Sequence, residues 1–352
     1  MLRNTATSGS IGLSSFAAKV DFATGTRPIS VAMGDLDGDG KPDLAVADFN
    51  SSTVTVFRNT ATSGSINFDS FADKVDFTTG ANPYSVAIGD LDGDGKPDLA
   101  IANVSSNTVS VFRNTATSGG IELGSFAAKV DFATGTNPYS VAMGDLDGDG
   151  KPDLAVANYG STTVSVIRNT STIGSIGLSS FAANVDFTIG YNPFSVAIGD
   201  LDGDGKPDLA VVNESSNSIS VLRNTATSGS IGLGSFAAKV DFTTGTNPRS
   251  VAIGDLDGDG KPDLAVGNFN LSTVSVLRNA DTNFRVMSIR NGAWNDPTTW
   301  NVNRIPLSSE SVTIDQNHTV EITTTVGVKA IEYRINAKVS FTNISSKLNI
   351  GL

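Results

Sequence analysis

Asp35, Asp37, Asp39 and Asp43 occupy positions 1, 3, 5 and 9 of the nonapeptide Asp-Leu-Asp-Gly-Asp-Gly-Lys-Pro-Asp, with glycine at positions 4 and 6. Alternating carboxylates bent around glycines make an oxygen cage for a hard cation, and the flexible all-oxygen set suits Ca²⁺ better than Mg²⁺. The backbone carbonyl of Lys41, at position 7, is a further candidate ligand. The nonapeptide recurs unchanged every 55 residues. The same role is therefore expected of Asp90, Asp92, Asp94, Lys96 and Asp98, and of Asp145, Asp147, Asp149, Lys151 and Asp153. It is expected again of Asp200, Asp202, Asp204, Lys206 and Asp208, and of Asp255, Asp257, Asp259, Lys261 and Asp263.

The ligand order follows an EF-hand loop as far as position 9 and then departs from it, because position 12 is Val46 rather than a bidentate Glu. The bland reading is a set of acidic hairpin turns, since Asp-Gly is a common turn signal. Four carboxylates in one turn repel one another without a cation, which favours the metal reading. No loop carries a catalytic base, so the expected role of the cation is to staple the fold.

A fixed period of this length means a repeat architecture. In the first full unit, Ser30–Gly34 alternates large with Ala or Gly, as an innermost strand at a crowded axis requires. Leu44–Ala47 and the β-branched Thr53–Phe57 read as second and third strands, and Phe71–Phe77 as an outer fourth. Four short antiparallel strands per unit make a propeller blade. The predicted class is all-β: a β-propeller over residues 1–279, then a small β-rich segment over 280–352. The fifth unit lacks its fourth strand, while Phe16–Phe22 at the other end repeats that strand's text. Pairing Phe16–Phe22 with Thr273–Leu277 would close a five-bladed ring; an arc of a larger ring is the rival.

The Asp-x-Asp-x-Asp-Gly-x-x-Asp loop after a Val-Ala-x-Gly strand, with Pro-Asp-Leu-Ala following, resembles the FG-GAP/VCBS repeat of integrin-α-like β-propellers. The resemblance covers roughly residues 1–279 and implies calcium at the four Asp residues of each copy. Members of that family take part in adhesion and carbohydrate contact, and some sit beside catalytic domains. The resemblance therefore fixes fold and metal better than function.

The units differ mostly at the ends of the strands away from the metal loops. There Tyr84, Tyr139, Tyr159, Phe194 and Arg249 are candidate ligand-binding residues, with Asn82, Asn137, Asn192 and Asn247 beside the entry prolines. Aromatics and amides together suit sugar or peptide binding; packing between blades is the alternative use. Trp294 and Trp300 in the C-terminal segment are either a sugar platform or the cap of a small core. That segment resembles the opening of β-helix or β-sandwich regions in bacterial surface proteins.

Composition narrows the partners. The net charge is −12, but the loops hold 20 of the 36 acidic residues, and the 24 basic residues are scattered. No nucleic-acid stripe survives that accounting, and no apolar run is long enough for membrane insertion. Cysteine is absent, and the single histidine, His318, lies outside the repeats, so no catalytic constellation is apparent. The expectation is a non-catalytic extracellular or cell-surface module for adhesion, its partner a glycan or a cell-surface protein. The alternatives are an accessory or catalytic part of a secreted polysaccharide-degrading enzyme, or a spacer. Met1–Gly9 repeats the mid-unit text Val221–Gly229, so the chain is read as a fragment of a longer protein.

Overall fold

The structure is a computed structural model describing residues 4, 11–281, 286–301, 305–306, 311–328, 330–341 and 347–350. Most of Met1–Gly9 lies outside the described residues. Two compact units are present: Met1–Asp145 with Asp149–Thr188, and Leu146–Gly148 with Ile189–Leu352.

The first unit holds three four-stranded antiparallel blades in sequential strand order. Blade one is β1 (Pro28–Gly34), β2 (Asp43–Asp48), β3 (Thr53–Phe57) and β4 (Val75–Thr78). Blade two is β5 (Pro83–Gly89), β6 (Asp98–Asn103), β7 (Thr108–Phe112) and β8 (Val130–Ala133). Blade three is β9 (Pro138–Gly144), β10 (Asp153–Asn158), β11 (Thr163–Ile167) and β12 (Val185–Thr188). The second unit adds β13 (Pro193–Gly199), β14 (Asp208–Asn213), β15 (Ser218–Leu222) and β16 (Val240–Thr243) as a fourth blade. Blade five has three strands, β17 (Pro248–Gly254), β18 (Asp263–Asn268) and β19 (Thr273–Leu277). The fold class is thus all-β, built of propeller-type blades.

Blades pack face to face, and the alternation of the strands decides what lies between them. Val54, Val56 and Phe77 of blade one meet Val86, Leu99 and Ile101 of blade two in one buried cluster. Blades two and three repeat the arrangement. The inner strands approach so closely that a Cβ on Gly34 would lie 2.8 Å from Ile88. That contact explains the small residues on one face of the inner strand.

Two sequence expectations need correction. The outer strand is shorter than read, because Phe71 makes only an isolated bridge to Asn59 and the ladder begins at Val75. Residues 16–22, read as a strand, form none, and Phe16 bridges Asn4. Phe22 lays its ring against Phe57 and Phe71, at 6.3 and 5.1 Å. It thereby takes the place that Phe77 takes against Phe112 and Phe126 one unit later.

The C-terminal segment is wound differently. Its strands are β20 (Val286–Met287), β21 (Gly292–Ala293), β22 (Ser311–Ile314), β23 (Thr319–Ile322), β24 (Val326–Val328), β25 (Ala330–Tyr333), β26 (Lys338–Phe341) and β27 (Leu348–Ile350). They form three parallel ladders, β20-β22-β25, β21-β23-β26 and β24-β27. Each turn of chain visits three faces and lies on the turn before, as in a parallel solenoid. Trp294 and Trp300 are fully buried in its core, edge to face at 5.0 Å, and the Trp300 indole N–H donates to the Trp294 carbonyl at 2.9 Å. They cap that core and offer no sugar platform.

One buried network differs between blades. In blade two, Asn103 Nδ2 donates to Ser110 Oγ at 2.8 Å, which donates to Asp131 at 2.6 Å. Blades three and four have the same relay. Blade one has Asp48, fully buried, in place of the asparagine. Thr55 Oγ1 lies 2.5 Å from Asp48 and 2.6 Å from Asp76, yet has one proton to give. Asp48 Oδ1 has no hydrogen-bond partner. Asp48→Asn restores a donor and is expected to stabilise the protein by about 1–3 kcal/mol, read as a higher urea midpoint at unchanged slope.

Candidate metal loops

Each acidic loop joins the first and second strands of its blade, so both ends are held by a ladder. Its turn is built from its own carboxylates. The Asp39 N–H donates to Asp35 and Asp37, both at 3.1 Å, and the Gly40 N–H donates to Asp35 Oδ2 at 2.9 Å. Gly40 sits at φ +86°, a left-handed value that a side chain would strain.

Three carboxylates per loop bring an oxygen within 4.8 Å of one another: Asp35, Asp37 and Asp39; Asp90, Asp92 and Asp98; Asp200, Asp202 and Asp208; Asp255, Asp257 and Asp259. In the third loop, Asp149 and Gly150 donate to Asp145 just as in the first, at 3.1 and 2.8 Å. Asp147 falls with the second unit and Asp153 with the first. These groups are able to hold a metal ion. One observation of the site itself tests the fit: Asp37 Oδ2 is buried and accepts no hydrogen bond. A hard cation would satisfy such an oxygen.

The ninth-position aspartates have a second role that the spacing did not reveal. Asp98 accepts from the Leu91 N–H at 2.9 Å and from the Asn114 N–H at 2.7 Å. Asp43, Asp208 and Asp263 make the same two bonds, so each clamps the loop's start to the exit of the third strand. The seventh-position lysines turn outward from the carboxylates in three loops. Lys96, Lys151 and Lys206 donate to the Ala116, Ser171 and Ala226 carbonyls at 2.7–2.9 Å. Lys41 and Lys261 lie beside Asp39 and Asp259, at 3.4 and 3.9 Å.

Sequence reasoning also missed the arginine that follows each third strand. Arg113 Nε donates to Asp92 at 2.8 Å, and Arg168 pairs with Asp149 at 3.0 Å. Arg58 lies 3.7 Å from Asp37, and Arg223 lies 3.9 Å from Asp202. The hydrogen bond from Arg278 holds the exposed Asp257 below the usual carboxylate range. The signal was available, since Arg-Asn stands at one offset in every unit. In loop four the C-terminal segment intrudes, with Asn301 Nδ2 donating to Asp200 at 2.6 Å.

Burial pushes Asp98 and Asp208 up to about 7, and Asp200 up to about 6. An acid raised above its unfolded value favours the fold at low pH, and that contribution is lost as pH rises through the folded value. The metal-free protein is therefore expected to lose stability between about pH 4 and 7. Thermal unfolding in chelator across that range checks this.

At the far ends of the strands, Tyr84 and Tyr139 stack at 4.4 Å, Tyr139 and Tyr159 at 4.3 Å, and Phe49 meets Tyr84 edge-on. In the second unit Arg249 lies 3.7 Å over Phe269 and 5.3 Å from Phe194, and pairs with Glu214 at 2.7 Å. The amides beside them staple blades together: Asn82 and Asn137 adopt left-handed φ and donate to the Phe49 and Val104 carbonyls, both at 3.0 Å.

A family profile described as an FG-GAP-like repeat matches residues 5–46, 35–101, 91–156, 145–211 and 200–266. No curated protein matches the chain in sequence. Among solved structures it is similar to a humanized mutant of the Chaetomium thermophilum Polycomb Repressive Complex 2 bound to an inhibitor. That match has 12% identity and a TM-score of 0.48, and covers 76% of this chain and 59% of the other. A putative 6-phosphogluconolactonase from Bacteroides fragilis matches at 16% identity and TM-score 0.47, over 69% of this chain and 64% of that one. An Agrocybe aegerita lectin recognising non-reducing terminal N-acetylglucosamine matches at 18% identity and TM-score 0.45, over 74% and 65%. The chain spans less than two thirds of the length of each.

Proposed function

The chain belongs to the FG-GAP-like repeat family, and from that premise we propose that it is a calcium-stapled, non-catalytic binding module working outside the cell or on its surface. The observation that carries the reading is the clustered loop carboxylates, with a buried oxygen on Asp37 that accepts no hydrogen bond and lies 3.7 Å from Arg58. Asp35, Asp37, Asp39 and Asp43, and their counterparts in the other loops, would hold Ca²⁺, whose charge offsets their mutual repulsion. The extracellular placement follows from supply: flexible extracellular-type sites have Kd of about 10⁻⁴–10⁻³ M, far above cytosolic calcium.

The binding surface in this reading is the strand-entry end, where the repeats vary. Tyr139 is stacked between Tyr84 and Tyr159, and the three together offer aromatic surface and hydroxyls suited to contact with a glycan or a peptide. Calcium acts there indirectly, by holding the blades in register.

The test is a screen against polysaccharides, cell-surface glycans and surface proteins, with calcium and with chelator, scoring binding and released sugar ends together. Calcium-dependent binding without new ends supports the reading. Released ends would replace it with a polysaccharide-degrading activity, and silence on both counts with a spacer.

A further inference from the structure

Three of the five tyrosines stand in one stack at the strand-entry end of blades two and three. Tyr139 lies in the middle, 4.4 Å from Tyr84 at an interplanar angle of 16° and 4.3 Å from Tyr159 at 9°. The core phenylalanines meet differently, edge to face, as Phe77 does with Phe112 and Phe126. All three tyrosines are half-buried and lie in the first compact unit. The other two, Tyr191 and Tyr333, belong to the second unit and are 68% and 50% exposed.

The backbone fixes the stack from both sides. Tyr84 and Tyr139 each follow a buried proline, Pro83 or Pro138, at the start of an inner strand. The Tyr159 N–H donates to the Asn137 carbonyl at 2.8 Å, which ties the turn of blade three to the entry of its own inner strand. Asn137 Nδ2 donates to the Val104 carbonyl at 3.0 Å, and the Val104 N–H donates to the Asn82 carbonyl at 3.0 Å. Those two bonds hold the entry of blade three against the entry of blade two. Rings placed in this way need little movement to react with one another.

We propose that Tyr139 is a site of oxidative cross-linking, joined ring to ring with Tyr84 or Tyr159 by a one-electron oxidant such as a peroxidase. Each of the two phenols gives one electron to an equivalent of the oxidant and its hydroxyl proton to water. The two radicals form a carbon–carbon bond at the ring positions beside the hydroxyls. The hydrogens on those carbons then move to the oxygens, so both phenols return and the protein is lighter by two hydrogens. Stacking favours this partner over collision with a tyrosine of another molecule, because the reacting rings are already adjacent. A bond from Tyr139 to Tyr84 ties blade three to blade two in a chain that has no cysteine. It closes a loop one repeat period long and constrains the unfolded chain as a disulfide does, so the product melts at a higher temperature. The coupling needs neither calcium nor a ligand.

The test exposes the full chain, dilute and folded, to a ruthenium photo-oxidant with persulfate, small enough to reach half-buried rings. Dityrosine fluorescence is expected in protein that keeps its 36.3 kDa protomer mass. Trypsin, which spares Lys-Pro bonds, places Tyr84 in peptide 75–113 and both Tyr139 and Tyr159 in peptide 130–168. A bond to Tyr84 links the two peptides, and a bond to Tyr159 leaves 130–168 alone but two hydrogens lighter. Tyr139→Phe keeps the stacked ring, and with it the fold, yet is expected to lose the product, since it separates the remaining two hydroxyphenyl rings. Tyr191→Phe and Tyr333→Phe are expected to retain it, and unfolding in urea before oxidation to remove it. Absence of dityrosine overturns the proposal. So does a product found only in linked dimers, or one that survives Tyr139→Phe.

Discussion

Chelation of calcium is expected to lower the melting temperature by roughly 20 °C. At free calcium a hundredfold above Kd, each site adds about 2.7 kcal/mol to the folded state. Five such contributions rival the ~5–15 kcal/mol of a typical domain, and in a chain of 352 residues each kcal/mol moves the midpoint by about 1–2 °C. The pH dependence should change sign with the metal. In chelator, stability falls as pH rises, because Asp98 and Asp208 prefer to be protonated where they are buried. In calcium those carboxylates must be ionised, protons compete with the metal below about pH 7, and stability rises over the same range. Scanning calorimetry at pH 5 and 8, with and without chelator, reads both effects. Parallel slopes in the two series would mean that calcium does not reach these acids.

Asp98→Ala is expected to cost about 3–5 kcal/mol even without calcium. The side chain is fully buried and accepts from two backbone N–H groups, Leu91 and Asn114. Alanine strands both donors, at about 1–3 kcal/mol each. Asp98→Asn keeps one acceptor oxygen and should lose about half as much. Asp94→Ala serves as the contrast, because that residue only helps to shape the turn and faces Arg113 at 3.7 Å. It should be nearly neutral in chelator and costly in calcium. Urea unfolding of the three variants under both conditions separates the clamp from the ligand. Equal losses for Asp94→Ala and Asp98→Ala in chelator would remove the clamp from the account.

The repeat unit was legible because its signals are local. Alternation in Ser30–Gly34, the β-branched run Thr53–Phe57 and the acidic turn between strands each specify an element within a few residues, and the 55-residue period states them five times. What escaped needed contacts between distant segments. The clamp on Asp98 joins residues 16 apart, and the Arg113–Asp92 pair joins residues 21 apart. The Asp-Gly text reads as a ligand loop whether or not those partners exist. The parallel ladders of the C-terminal segment escaped for a different reason. Val312 stacks on Ile331 and Val320 on Val339, a 19-residue offset with no repeated text to announce it. Phe16–Phe22 carries the text of a fourth strand yet forms none, and its Phe22 meets Phe57 and Phe71 on blade one.

The aromatic residues show how position differs from availability. Tyr84, Tyr139 and Tyr159 were singled out as candidate binding residues, and the structure stacks them, with Tyr139 between the other two. Trp294 and Trp300 are buried where a platform would need them exposed. Composition and spacing locate such groups; burial and stacking decide what they have left to offer.

The most direct measurement is a calorimetric titration of the chelator-stripped protein with calcium at neutral pH, fitted for stoichiometry. About five ions per chain, with Kd near or below millimolar and a matching rise in melting temperature, is the predicted result. No binding heat, together with a melting temperature indifferent to calcium, would contradict the account and leave the neighbouring arginines and lysines as the counter-charge of the loops.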